Sequence, residues 1–244
     1  MSTLLAIAKR EFRAYFDSPL AYVVICLSFL GLGLSFFMLN GGFWQLDRAT
    51  VQPLFQYGAA GLTIFVVPVV TMRLMSEEKR SGTLEMLITL PVKDSDVILG
   101  KFLGACGLVF TVVVASAAYP VMMFKAPWAL GPLDMGPVLS GYVGLSLLAL
   151  AAVAVGLLIS SLTESQSIAF FITVAVLLTS WVAGDLAEHL SGGLANFFHY
   201  ISFQSRLGGF MRGLIDTRDV IFFVSITVLA LMVSFRALER RKWA

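Results

Sequence analysis

Long stretches without a charged residue constrain this chain more than any other feature of its sequence. They follow Asp17, Arg48, Lys101, Asp134, Glu164 and Asp219. A helix of about 20 residues crosses the hydrocarbon core of a membrane, and only the last stretch, of 16 residues, is shorter than that. There we expect the side chain of Arg236 to reach the headgroups. The sequence predicts an all-α membrane protein with six transmembrane helices, at residues 19–39, 54–72, 98–123, 138–160, 166–184 and 220–236.

The composition excludes the other broad classes of protein. Hydrophobic residues make up 58% of the chain and charged residues only 13%, whereas a soluble domain is about 45–50% apolar and about 25% charged. A disordered chain is more polar still, and a transmembrane barrel would show alternation instead of continuous apolar runs. Cys26 and Cys106 lie in apolar runs and do not make a disulfide framework. The net charge of +2 does not indicate a nucleic-acid partner.

Lys and Arg are divided unevenly between the two ends of the predicted helices. With the N-terminus in the cytoplasm, 12 of the 17 basic residues lie on the cytoplasmic side, in agreement with the positive-inside rule. We therefore expect both termini in the cytoplasm. A signal peptide is an alternative for the first apolar stretch. That stretch is too long for one, however, and no cleavage site follows it, so we expect a permanent helix.

Residues 1–17 predict an interfacial helix on the membrane surface. Apolar and aromatic residues fall on one side of this helix and Lys9, Arg10 and Arg13 on the other, with Glu11 as the one exception. An apolar face opposite a basic face is typical of a helix in the headgroup plane. A basic cluster that only fixes the topology is the alternative.

Residues 73–97 form the only sizeable loop on the predicted cytoplasmic side. Mixed charges at 77–80 come first, Ser81 and Gly82 are expected to break the helix, and a short apolar helix is expected to end at Pro91. The pattern predicts a rigid segment that presents charges to the cytosol, and an ordinary solvated turn is the alternative. Elsewhere, Gly100 and Gly104 permit close helix packing, and Pro68 and Pro120 predict kinks.

The loop carries a sequence, Glu-Lys-Arg-Ser-Gly-Thr-Leu-Glu at 78–85 followed by Leu-Pro at 90–91, that resembles the signature of ABC type-2 transporter permeases. The resemblance extends over nearly the whole chain: a surface helix, six spans and a long loop before the last span. Segments 210–223 and 236–243 are most similar to the gliding-motility-type branch of that family.

This resemblance implies a permease subunit in the bacterial cytoplasmic (inner) membrane, paired with a second copy or a relative and served by two cytoplasmic ABC ATPase subunits. In that family the loop after the second span carries a coupling helix that docks on the ATPase. Matched by position, the coupling residues are Glu77, Glu78, Lys79, Arg80, Gly82, Thr83 and Glu85. ATP and Mg²⁺ would bind the ATPase, and we expect no catalytic residue, cofactor or metal on this chain.

The sequence carries no nucleotide-binding or proteolytic motif. The nearest match to a phosphate loop, residues 95–102, lacks the first glycine and the final hydroxyl. An intramembrane protease is a weaker hypothesis, because no second glycine follows Ser146, both histidines lie in a loop, and no His-Glu-x-x-His is present.

The predicted spans are nearly free of charge, which argues against a proton-coupled carrier or an ion channel. Serine and threonine side chains would line a path or, alternatively, bond neighbouring helices; they are Ser140, Ser146, Ser160, Thr173, Thr179 and Ser180.

The external segment 185–219 is too apolar for a freely solvated loop. It resembles the pair of short re-entrant helices that the family places before the last span. We expect an extracellular gate here, and capping of the bundle is the alternative. The candidate gate residues are Phe197, Phe198, Phe203, Arg206 and Arg212.

Two functional hypotheses follow from the sequence. The first is half of the pathway of a bacterial ABC exporter, driven by separate ATPase subunits. The second is a membrane anchor that transports nothing and relays ATPase motion to an external accessory protein through segment 185–219.

Overall fold

The computed structural model describes residues 3–38, 51–82, 93–124 and 134–240. Over these ranges the regular structure is helical throughout. Within these ranges, six continuous helical segments are long and apolar enough to cross a membrane: Pro19–Met38, Gln52–Arg80, Asp94–Met123, Met135–Leu162, Gln166–Glu188 and Thr217–Glu239. The predicted class and the number of spans are therefore confirmed. The helices are α1 Thr3–Asp17, α2 Pro19–Met38, α3 Gln52–Gly61, α4 Val67–Thr71, α5 Ser76–Arg80, α6 Asp94–Ser116, α7 Ala118–Phe124, α8 Met135–Leu162, α9 Gln166–Glu188, α10 Gly193–Ile201, α11 Phe203–Met211 and α12 Thr217–Arg240.

Most of the long helices extend a few residues beyond the predicted spans. For example, α6 begins at Asp94 where the sequence predicts a span from 98, and α12 runs from Thr217 to Arg240 around the predicted 220–236. Charge spacing finds only the apolar middle of a helix, whereas the backbone hydrogen bonds continue where charged side chains can reach water.

The second span is irregular in the middle. Between α3 and α4 lies a π-helical segment, Leu62–Val66, in which the amide of Val67 donates to the carbonyl of Leu62. Pro68 lies two residues after this segment, and a proline ring clashes with the carbonyl four residues before it, here that of Ile64 within the segment. The wider π turn relieves that clash. Prolines and π turns are both recognised causes of kinks in helices.

The third span is interrupted at Ala117, three residues before Pro120, so that α6 ends and α7 begins there. Because Pro120 has no amide hydrogen, the carbonyl of Ser116 loses its helical partner, and the chain turns at this point. Both prolines named in the sequence therefore lie beside an irregularity in a helix.

The fourth span, α8, is the centre of the bundle. It packs against α3, α4, α6, α9, α11 and α12, and residues from Leu148 to Leu157 are almost all inaccessible. Its glycines make this packing close. A methyl group at Gly156 would lie 2.3 Å from Oγ1 of Thr71 on α4, and one at Gly144 would lie 2.7 Å from Phe210 on α11. Small residues at such crossings let helix backbones approach within a membrane.

Replacing Gly156 with alanine should destabilise the bundle, because the buried Thr71 side chain has no room to move away. We expect a loss of about 1–3 kcal/mol, as for other overpacked cores, and a lower midpoint of thermal unfolding for the protein purified in detergent. Gly208→Ala is the matched control, since nothing lies within 4 Å of the added methyl group. Equal midpoints for the two variants would contradict this account of α8.

Candidate functional site

The first helix lies against the beginning of α6. Three glycines of α6 form the contact surface: a methyl group at Gly100 would lie 2.7 Å from Ile7, one at Gly104 2.6 Å from Glu11, and one at Gly107 2.7 Å from Phe12. The close packing predicted from Gly100 and Gly104 is therefore present, and its partner is α1. We call the end of the bundle where α1 lies the α1 end.

A lysine ammonium is buried in this contact. The side chain of Lys101 on α6 is only 3% exposed, and its Nζ lies 3.2 Å from Oε1 of Glu11 on α1 and 2.8 Å from Oε1 of Glu78 on α5. Arg10 lies 3.0 Å from Glu11 and 3.9 Å from Glu78. These four residues, the Lys101 cluster, connect three elements that are distant in the sequence.

The charges of the Lys101 cluster depend on one another. Burial raises the pKa of Glu11, but the Lys101 ammonium and the hydrogen bonds from Arg10 and Lys101 together outweigh it and hold the pKa below its usual value. A pKa that is lower in the folded chain than in the unfolded one means that the carboxylate stabilises the fold at neutral pH. This stabilisation is lost only as the pH falls through the lowered pKa.

A second contact joins α1 to the second span. The hydroxyl of Tyr15 donates a hydrogen bond of 2.9 Å to the carbonyl of Val70 in α4. That carbonyl is available because the amide of Leu74, its expected helical donor, bonds to Thr71 instead. Burial raises the pKa of Tyr15, so the phenol stays neutral and remains a donor.

The second span bends where Tyr15 meets it, and a serine on α8 satisfies the backbone groups that the bend leaves free. Residues 72–75 form a turn before α5. Oγ of Ser160 accepts from the amides of Met75 and Ser76, at 3.1 and 3.2 Å, and donates to the carbonyl of Met72 at 3.4 Å. A helix start leaves amides without an internal partner, and here the partner belongs to another span.

The other end of α5 is also attached to α8. The ammonium of Lys79 donates to the carbonyl of Ser161, in the last turn of α8, where a cation also interacts favourably with the helix dipole. The helix ends at Arg80, and Gly82 follows with a φ of +71°, a left-handed conformation that glycine adopts readily at helix ends. We call residues 72–82 the elbow.

The coupling residues named from the sequence divide into two groups. Glu78 and Lys79 point into the protein and are bonded to α6 and α8. Glu77, Arg80 and Gly82 are exposed, although Glu77 also lies 3.9 Å from Arg73. Thr83 and Glu85, and the apolar helix expected to end at Pro91, lie outside the described residues.

Sequence reasoning missed five of the residues that attach the elbow: Arg10, Glu11, Tyr15, Lys101 and Ser161. Two of them carried a signal. Glu11 was the one acidic exception on the predicted surface helix, and Lys101 lies between two glycines of a close packing surface. Ser160, which the sequence placed among the hydroxyls that line a path or bond neighbouring helices, bonds to the backbone of the second span.

At the opposite end of the bundle, α10 and α11 occupy the segment predicted to contain two short helices. Phe203, Leu207, Phe210 and Met211 of α11 are buried, whereas α10 has no buried residue. Oγ of Ser140 on α8 donates to the carbonyl of Phe210 at 2.7 Å. The second of the two helices is therefore built into the bundle, and the first lies on its surface.

Of the residues named as gate candidates, Phe203 and Arg206 lie together against Phe222 of α12. Phe203 is buried against Phe222 and Phe223 of α12. Arg206 is bonded to Asp219 at 3.0 Å, and its guanidinium lies over the rings of Tyr200 and Phe222 at 4.8 and 5.1 Å from their centroids. The other three candidates are accessible to different degrees, Phe198 least and Phe197 and Arg212 more.

Removing the buried ammonium should destabilise the α1 end. In Lys101→Met the carboxylates of Glu11 and Glu78 lose their shared cation, and we expect a loss of about 3 kcal/mol or more in stability, measured as a lower thermal midpoint in detergent. The triple variant Glu11→Gln/Glu78→Gln/Lys101→Met, which removes the charges together, should recover most of it. The control is Lys9→Met on the exposed side of α1. An equal loss of stability there would show that the Lys101 cluster stabilises the fold no more than an exposed lysine does.

Comparison with known proteins agrees with this architecture. Residues 52–235, from the second span to the last, match the model of a family described as ABC-2 family transporter protein. No curated protein is similar enough to the chain to be matched. The family match covers most of the chain, and six helical segments in the part of the chain that the structure describes are long and apolar enough to cross a membrane. The chain therefore belongs to the ABC-2 family of transporters, as a multi-pass permease subunit that is not itself catalytic and that works in the membrane with ABC ATPase subunits.

Proposed function

We propose that this chain is one of two permease subunits of a bacterial exporter and that its elbow receives the motion of the ATPase. The observation that carries the proposal is the attachment of α5: Ser160 and Ser161 of α8 bond to both of its ends, and Lys101 of α6 holds Glu78 from the side. A force on α5 is therefore applied to the second, third and fourth spans together.

This arrangement suits a transporter whose chemistry takes place on another polypeptide. Two ATPase subunits that close on ATP and Mg²⁺ and open after hydrolysis supply a rigid-body movement. The permease then needs a stiff receiving element to convert it into a rearrangement of its spans. Within the elbow, α5 is short, helical and bonded to its neighbours at both ends, so little of the movement is lost in local bending.

The two groups of elbow residues have different roles in this proposal. The exposed Glu77 and Arg80 contact the ATPase, and Gly82 allows the chain to turn away beneath it. Glu78 and Lys79 transmit the movement inward, since their partners belong to α6 and α8. Docking and transmission are then separable by mutation.

The proposal also covers the orientation of the chain in the membrane and the branch of the family to which it belongs. The α1 end lies in the cytoplasm, supported by the 12 basic residues assigned to that side, and the membrane is the bacterial inner membrane. Segments 210–223 and 236–243 support the gliding-motility-type branch. The second subunit is an identical copy or a relative.

Reversing the exposed charges of the elbow should prevent docking without unfolding the chain. In Glu77→Lys/Arg80→Glu we expect the co-expressed cognate ATPase to be lost from the purified complex. The free energy of unfolding of the permease should change by no more than about 0.5 kcal/mol. Arg218→Glu, the same reversal at an exposed residue of the opposite end, is the control and should leave the complex intact. An undiminished yield of ATPase with the double variant would contradict the docking role.

Neutralising the buried carboxylate should instead leave docking intact and interrupt transmission. The readout is ATP-dependent reaction of Arg212→Cys, at the opposite end, with a membrane-impermeant maleimide. We expect ATP to change the rate of labelling in the parent complex and to leave it unchanged when Glu78→Gln is added, although the ATPase still co-purifies. If the ATP-dependent change persists with Glu78→Gln, the Lys101 cluster is not part of the transmission.

One observation favours the second function, a membrane anchor that relays ATPase motion to an external protein. Leu194, Phe197 and Tyr200 of α10 are each about 60% exposed, and their spacing of three residues places them on one side of the helix. An aromatic surface of this kind at the opposite end of the bundle is also what a protein partner would bind.

Phe197→Leu discriminates between the two functions, because it keeps the surface apolar and removes the ring. A helix that rests on lipid tolerates the change, so we expect full complementation of a deletion of the gene by this variant. If the ring of Phe197 is at the centre of a protein interface, its removal should cost about 1–2 kcal/mol or more of binding free energy. Reduced complementation at a normal expression level would therefore favour the relay over the exporter.

A further inference from the structure

A cavity of about 340 Å³ opens on the surface of the bundle between α2 and the second span. The volume is within the range of small-molecule sites, about 300–1,000 Å³. Its walls include Gly31 and Leu32 of α2, Leu62 and Phe65 of the π segment, Val112 of α6 and Leu145 of α8. The residues of α2 that line it, 27–35, begin about 12 Å along the helix from its start at Pro19, so the cavity lies in the half of the bundle away from α1.

Two of the three glycines that line this cavity, Gly31 and Gly61, differ from those elsewhere in the spans; at the third, Gly58, an added methyl group would lie 3.7 Å from Leu32. Gly100, Gly104 and Gly156 each have a neighbouring side chain within 3 Å of the position of an added methyl group, because another helix packs there. Gly31 and Gly61 have nothing within 4 Å and are exposed. Glycine weakens a helix by about 1 kcal/mol, and at these two positions no helix packing accounts for that loss. Their missing side chains keep the cavity open.

The walls contain four polar side chains: Ser28, Ser35, Tyr57 and Ser116. Two of them already donate to their own helices, which favours an apolar occupant. Oγ of Ser28 donates to the carbonyl of Val24 at 2.6 Å, and Oγ of Ser116 donates to the carbonyl of Val113 at 2.7 Å. Hydroxyls that already donate to their own helix offer little to a sugar or a peptide. The rest of the wall is mostly apolar, so its chemistry matches a hydrocarbon chain.

The cavity is continuous with the surface that the protein presents to the membrane. Leu27, Leu30 and Leu34 of α2 are each about half exposed, as expected of side chains that face lipid tails. Wall atoms around an empty space lose dispersion contacts, and the neighbouring lipid tails can supply them. We propose that the cavity is a binding site for one acyl chain of a membrane phospholipid, from the leaflet on the side away from α1.

This site lies outside the elbow and does not depend on the direction of transport. A bound acyl chain packs against the π segment that precedes Pro68, where the second span is irregular. It therefore fills space next to the element that connects the elbow to the opposite end of the bundle.

The test uses membranes that contain the full chain with its ATPase and a phosphatidylglycerol whose acyl chain ends in a photoreactive diazirine. After irradiation, labelled residues are identified by mass spectrometry. We expect label to be concentrated on Leu32, Leu62 and Phe65 relative to Phe171 and Ile172, which are exposed on α9. Gly61→Leu and, independently, Gly31→Leu place a side chain in the cavity. Each should reduce its labelling by roughly tenfold, which corresponds to about 1.4 kcal/mol of binding free energy.

Labelling of Phe171 and Ile172 should not change in either variant, and Gly208→Leu, which also adds a side chain in open space, should leave the cavity labelled. Two results would overturn the proposal. One is labelling of the cavity no denser than that of α9 in the parent chain, a comparison that does not depend on how the variants fold. The other is loss of the label during ATP turnover, which would show that the cavity holds transported cargo and not a resident lipid.

Discussion

The ammonium of Lys101 is almost completely removed from water, and the arrangement of the α1 end depends on keeping it neutralised. Two carboxylates from different elements do this, Glu11 from the first helix and Glu78 from the elbow. A buried charge that loses its partners is strongly destabilising, so neither α1 nor α5 can move away from α6 alone. The glycines of α6 reinforce this, because they bring the backbone of α1 close enough for Glu11 to reach.

Hydrogen bonding gives the elbow a second constraint. A membrane-spanning helix that bends leaves backbone groups without partners, and in hydrocarbon each one is costly. Around this bend the carbonyl of Val70 is bonded to Tyr15 of α1, and backbone groups of Met72, Met75 and Ser76 are bonded to Ser160 of α8. Both side chains lie far from the bend in the sequence. The bend therefore exists only while the second span, the fourth span and the first helix remain together. This requirement explains why so short a helix as α5 has a defined position.

Much of the fold follows from the sequence, because spans and kinks are local properties. Charge spacing identified six membrane helices, and Pro68 and Pro120 marked the irregular points of two of them. The family signature directed attention to the elbow. The attachment of the elbow could not be predicted in the same way. Glu11 and Lys101 are 90 positions apart, and a helical pattern says which side of a helix is apolar but not which helix it meets. Ser160 looked like one of several membrane hydroxyls, since its partners depend on a bend in another span.

The fourth span reaches both ends of the molecule without interruption. Ser160 holds the elbow, and Ser140, 20 residues earlier on the same helix, holds α11 at the opposite end. At 1.5 Å per residue these two serines are about 30 Å apart, and their angular register is set by the number of residues between them. Inserting or deleting one residue in α8 would rotate one serine relative to the other by about 100°. The length of this helix therefore matters as much as its side chains, because it sets both the distance and the angle between the elbow and α11.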